Sequence, residues 1–237
     1  MTITLLFMAI VSVIAARWLW HQGLATKPWL EEGAPRDMPG MSTTSLPASK
    51  VGLGVFLAVV GALFALLMSA YSMRMPVGDW LPMPIPNVLW FNTAMLVLSS
   101  VALHSAQRAA RQGRIDGVRS GVLTGGVTAL LFLIGQLLAW RQLTAEGYFL
   151  ATNPASSFFY LMTALHGLHV AGGLVALGRT GASVWDDDQV VLEEASLSVQ
   201  LCAAYWHFLL LIWFFLLLLL TGWASDFIAI CRQVVAS

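Results

Sequence analysis

Ser198–Gly222 reads SVQLCAAYWHFLLLIWFFLLLLLTG and holds no Asp, Glu, Lys or Arg. A helix rises about 1.5 Å per residue, so about 20 apolar residues cross a hydrocarbon layer about 30 Å thick, and this run is long enough to do so. Towards the amino terminus, stretches of the same kind recur at Ser156–Leu177, Ser120–Trp140, Leu89–Ala110, Val51–Met73 and Thr2–Trp20. The breaks between them carry Pro, Gly or charge. In residues 76–86, PVGDWLPMPIP, successive prolines lack an N–H and cannot continue a helix. The expected fold is all-α, a polytopic membrane bundle of six transmembrane helices.

Composition agrees with a bilayer protein. Of 237 residues, 58% are hydrophobic and 10% charged, and mean hydropathy is +0.78, outside the range of soluble domains. Twelve basic residues balance twelve acidic ones, so no net field draws nucleic acid, and the expected partners are lipid and protein. Cys202 and Cys231 lack CxxC-like spacing, which suggests neither a zinc site nor a disulfide framework. Cys202, within an apolar run, reads as a small buried hydrophobe.

The chain divides into an extra amino-terminal transmembrane helix (1–20), a linker (21–50), a five-helix core (51–225) and a carboxyl-terminal tail (226–237). Thr2–Trp20 differs from a signal peptide: no basic residue precedes it, and Ala15-Ala16 runs into Arg17, Trp18 and Trp20, an interfacial anchor pattern. The linker, with Gly33, Pro35, Pro39, Gly40 and Pro47, is too long and broken for a tight hairpin. With six spans, one side of the membrane receives Arg17, Lys27, Arg36, Lys50, Arg108, Arg111, Arg114, Arg119 and Arg179, the other only Arg74, Arg141 and Arg232. The positive-inside rule then makes the linker cytoplasmic and puts both termini on the outer, periplasmic face. The acidic run Asp186–Asp188, with Glu193 and Glu194, is read as a solvated loop.

Away from their ends the spans contain no ionisable Asp, Glu, Lys or Arg, which argues against a proton pump or ion-coupled transporter. The polar residues of note are His104, Gln136, His166, His169 and His207. Two readings compete for the histidines. His166 and His169, three apart, share a helix face, and His207 on the next helix can approach them, a pattern suited to metal or heme ligation. Histidine also donates from one ring nitrogen and accepts at the other, joining helices without an ion. Gly167, Ala171, Gly172 and Gly173 around the pair favour close approach of a neighbouring helix over room for a heme. Gln136 reads as an interhelical hydrogen bond, and Arg141 and Glu146, which bracket a short outer loop, as an interfacial pair. Tryptophans 18, 20, 80, 90, 140, 206 and 223 read mostly as depth anchors near span ends.

Several stretches together resemble the subunit III family of heme-copper (cytochrome c) oxidases. They are Gly52–Ala58 with Leu63-Phe64 and Ser69-Ala-Tyr71, Asn92-Thr93 with Ser99-Ser100, Gln136 with Trp140, and Asn153-Pro154 leading into Phe158-Phe-Tyr160. The most specific are His166-Gly-Leu-His169-Val-Ala-Gly-Gly173 and Tyr205-Trp-His-Phe208 with Trp213, and the series spans residues 48–222 in the family's order. The resemblance implies a non-catalytic accessory subunit in the bacterial inner membrane. It would pack against oxidase subunits I and II and hold phospholipid in a cleft between helices. Heme and copper would belong to its partners and no cofactor to this chain. Gln136, His166, Gly167, His169, Gly172, Gly173, Tyr205, Trp206, His207 and Phe208 would be structural contacts, none catalytic. The alternative from the histidines alone is a membrane b-type cytochrome.

The sequence departs from the family in three places. Where many members carry a buried glutamate in the first shared helix, this chain has Val60; where long forms carry Glu and Asp around Tyr205-Trp-His207, it has Gln200 and Leu210. The long form has seven spans against six here, and Thr2–Trp20 runs in the sense of the family's second helix.

Overall fold

The computed structural model describes residues 48–81, 83–186 and 191–222, together with Leu6, Ala9, Ile10, Val13, Ile14 and Arg17, which are helical. The rest of the expected span Thr2–Trp20, the linker up to residue 47 and the tail lie outside the described residues. Five helices follow: α1 (Ala48–Arg74), α2 (Val88–Arg111), α3 (Ile115–Ala145), α4 (Pro154–Asp186) and α5 (Val191–Leu220). Each includes a segment long and apolar enough to cross a membrane. The fold is an all-α, polytopic membrane helix bundle with five candidate spans among the described residues. The helices overrun the predicted spans, α3 reaching 31 residues and α4 33. Hydropathy marks only the part of a helix that suits lipid, while backbone hydrogen bonding continues into the interface. Ala48–Lys50, assigned above to the linker, are accordingly helical.

The chain forms two compact units, Met1–Ala65 and Leu66–Ser237, with the border inside α1. The first contains the amino-terminal part of α1. In the second, α2 packs on α3, α3 on α4, α4 on α5 and α5 back on α2, so that four helices close a ring. Short turns make sequential neighbours antiparallel. The turn between α2 and α3 depends on Gly113 at φ 68°, where a side chain would be strained. Around it Arg114 N–H bonds the Ala109 carbonyl and Gly113 N–H the Ala110 carbonyl, the paired bonds that close a helix. Gly147, at φ 89°, ends α3 in the same way.

The start of α4 shows why Asn153-Pro154 stands where it does. Asn153 Oδ1 accepts from the N–H groups of Ala155 at 2.6 Å and Ser156 at 3.3 Å, covering donors left open by the first turn. Pro154 supplies the first helical residue without an N–H to satisfy. In the proline-rich connection before α2, Trp80 packs edge-on against Tyr71 with ring centres 4.9 Å apart. Tyr71 in turn meets Phe158 of α4 at 5.7 Å. Arg74 donates to both oxygens of Asp79, one bond being 2.6 Å, and these bonds hold the Asp79 carboxyl below the usual carboxylate range.

Candidate functional site

Side-chain hydrogen bonds tie each pair of neighbouring helices in the ring. Between α2 and α3, Asn92 Nδ2 donates to Gln136 Oε1 at 3.3 Å and Ser99 Oγ to the Gly125 carbonyl at 2.7 Å. Between α3 and α4, Trp140 Nε1 donates to Thr163 Oγ1 at 3.1 Å, and Arg119 donates to the Val184 carbonyl near the end of α4. Between α4 and α5, His166 Nε2 donates to the Leu209 carbonyl at 3.0 Å and Tyr205 Oη to the His169 carbonyl at 2.8 Å. Between α5 and α2, Trp213 Nε1 donates to Thr93 Oγ1 at 2.9 Å, and Ser100 Oγ lies 2.7 Å from His207 Nδ1. Apolar contact between helices gains little over contact with lipid tails, so such bonds, at about 1 kcal/mol each, select which helix faces meet.

The two histidines of the pair bond different backbone carbonyls. His166 is fully buried, edge-on to Phe132 of α3 at 5.5 Å and beside Trp213 of α5 at 5.1 Å. His169, half-buried, turns back on its own helix and donates from Nδ1 to the Leu165 carbonyl at 2.7 Å. His207 faces α2 instead, its ring 5.5 Å from that of His104. Each of the three motif histidines thus addresses a different neighbour. A carbonyl oxygen only accepts, so the ring nitrogens of His166 and His169 that meet one carry protons and cannot ligate there. Among the described residues no group of three or more His, Cys, Asp and Glu is placed to hold a metal ion.

Of the motif glycines, Gly173 makes the tightest contact: a Cβ there would lie 2.7 Å from Tyr205 Cε1 and 2.9 Å from two ring carbons of Trp206. Gly167 has ordinary room, 3.6 Å from Leu133, and Gly172 faces open space. Phe208 is half-buried on α5. Trp206 corrects the reading of that ring as a depth anchor. It is fully buried against Gly173, because the missing side chain leaves a slot that an indole fills. The suggested Arg141–Glu146 pair also fails. Glu146 accepts from Gln142 at 3.1 Å, since four residues share a helix face and five do not. Cys202 is buried, with Sγ 3.6 Å from Thr180 Oγ1.

The closest helix approach falls on glycines other than those the histidine motif pointed to. A Cβ at Gly121 of α3 would sit 2.7 Å from Ala106 Cβ and 2.8 Å from the Ala102 carbonyl of α2, and one at Gly125 2.9 Å from Leu103 Cγ. At Gly135 it would collide with the Asn92 amide of the Gln136 pair. The signal was present as Gly117, Gly121 and Gly125, a small residue every fourth position leading into the span Ser120–Trp140.

The family pattern of cytochrome c oxidase subunit III matches residues 1–225. The chain is 34% identical over 165 residues to the probable cytochrome c oxidase subunit 3 of Mycobacterium tuberculosis, covering 67% of this chain and 77% of that protein. It is 31% identical over 168 residues to cytochrome c oxidase subunit 3 of Thermostichus vulcanus, covering 67% and 79%. With Synechocystis subunit 3 it shares 29% identity over 164 residues, 66% and 68% of the two chains. A membrane bundle that carries the motif residues in order, and matches the family pattern over nearly its whole length, belongs to the cytochrome c oxidase subunit III family.

Proposed function

We propose that the chain serves as the non-catalytic third subunit of a heme-copper terminal oxidase, packing against the subunits that reduce oxygen and retaining phospholipid beside them. The observation that carries this reading is the engagement of the motif polar groups with neighbouring helices. His166 and Tyr205 bond backbone carbonyls across the α4–α5 contact, and His207 meets Ser100 of α2. These residues act as connectors, and redox chemistry falls to subunits I and II. Outward-facing Leu130, Ile134 and Leu137 of α3 and Leu161, Leu168 and Val175 of α4 are exposed apolar side chains suited to lipid or to a partner helix. Loop charge supports a bacterial inner-membrane placement with both termini periplasmic and Arg108, Arg111, Arg114 and Arg119 cytoplasmic.

The test is purification of the tagged full chain from its membrane in mild detergent. The expected outcome is co-purification of oxidase subunits I and II and their hemes. After separation of the subunits, the chain itself should show no Soret absorbance. A heme band stoichiometric with the separated polypeptide would replace this reading with a b-type cytochrome.

A further inference from the structure

We propose that the groove between the carboxyl-terminal end of α2 and the facing part of α5 binds the headgroup of an anionic membrane phospholipid. This rests on the reading of a lipid-retaining subunit and adds to it a place and a charge. The groove has a volume of about 480 Å³, with His104, Gln107, Arg108 and Arg111 on the α2 wall and Gln200 and His207 on the α5 wall, above two alanines. No acid lines it. Arginine offers only donors, arranged in a fork that matches phosphate oxygens, and the glutamine amides can add further N–H groups.

Three observations single these arginines out. First, their neighbours are engaged: Arg114 donates to Gln112, and Arg119 to the Val184 carbonyl. Arg108 and Arg111, by contrast, have no hydrogen bond or ion pair with any described residue. Secondly, the upper wall is fixed, because His207 is bound by Ser100 at 2.7 Å and the His104 ring stands 5.5 Å from it. Thirdly, the groove lies at the last turn of a candidate span, Val88–Arg111, the depth of lipid headgroups. Two helical turns further into the span, on the same helix faces, stand exposed Val101 of α2 and Phe214 of α5. Acyl chains can lie along these side chains while the phosphate reaches the arginines. A basic pocket between transmembrane helices recognises a headgroup in this way.

The full chain, purified with the subunits that accompany it and stripped of lipid, is titrated with phosphatidylglycerol or phosphatidylcholine and read by native mass spectrometry. Phosphatidylglycerol should be retained over phosphatidylcholine. The double variant Arg108→Gln/Arg111→Gln should lose at least about tenfold in affinity, since each cation near a membrane surface contributes about a factor of five. Arg108→Lys/Arg111→Lys should keep most of the binding, and Arg141→Gln, at the other end of the bundle, all of it. Equal thermal midpoints of the lipid-free proteins exclude misfolding as the cause. If the Gln variant retains phosphatidylglycerol as the unaltered chain does, the groove assignment is overturned while lipid retention stands. If the unaltered chain holds neither lipid, both fail. If inorganic phosphate alone raises the midpoint as much as phosphatidylglycerol does, the groove takes a free anion and the lipid assignment is overturned.

Discussion

His166 occupies a position where shape and polarity are both specified. Its ring fills the space between Phe132 and Trp213, and Nε2 reaches the Leu209 carbonyl of the neighbouring helix at 3.0 Å. In lipid, where dispersion contacts and hydrogen bonds replace the water-driven part of packing, removing such a ring loses both contributions. His166→Ala should therefore lower stability by about 2 kcal/mol or more, read as a fall in the thermal midpoint in mild detergent, with the heme content of the assembled oxidase unchanged. An unaltered midpoint would show that the ring is not a packing element. The sequence made the histidine conspicuous but left its partner open, because the ring can bond, ligate or pack and only the approach of α5 selects among these. Trp206 carries the same lesson. An indole in a span suits the interface by composition, yet the slot at Gly173 draws it into the core.

At the scale of elements, the contact of α2 with α3 is set by glycine. Gly121 brings the α3 backbone so near α2 that an added Cβ would meet the Ala102 carbonyl at 2.8 Å and the Ala106 nitrogen at 3.0 Å. Backbone atoms cannot step aside as a side-chain end can. Gly121→Ala should force the helices apart at a cost of about 1–3 kcal/mol, whereas Gly172→Ala, with nothing within 4 Å, should leave the isolated subunit's melting unchanged. Comparing the two midpoints checks the assignment, and equal losses would sink it. The recurrence of Gly117, Gly121 and Gly125 was legible as a motif. The glycines beside the histidines were equally legible, yet of these Gly173 meets a neighbouring helix tightly and Gly172 faces open space, which spacing alone could not say.

For the whole molecule, the absence of intramembrane acids is as informative as the presence of polar connectors. Val60, Gln200 and Leu210 stand where the family resemblance leads one to expect carboxylates, and no Asp or Glu lies deep in the five candidate spans. Under the function proposed above, a subunit so built would assist its complex by packing and lipid retention, without a titrating acid in its described spans. Treatment of the oxidase with a hydrophobic carbodiimide should consequently leave residues 51–73 and 198–222 of this chain unmodified by peptide mass analysis. A labelled membrane-embedded residue in either stretch would contradict the reading.

Amino-acid order by itself determined the membrane class, the five described spans and the family. A run of about 20 uncharged residues has few stable alternatives to a helix in lipid, which must satisfy its backbone hydrogen bonds internally. Tertiary structure alone decided which histidine meets which helix, which glycines admit a neighbour's backbone, and that Arg108 and Arg111 share a groove with Gln200 and His207. Those facts depend on how each helix is rotated about its axis. In a span that is apolar on every side, hydropathy leaves that rotation nearly free, and the small residues and sparse polar groups fix it only once the helices touch.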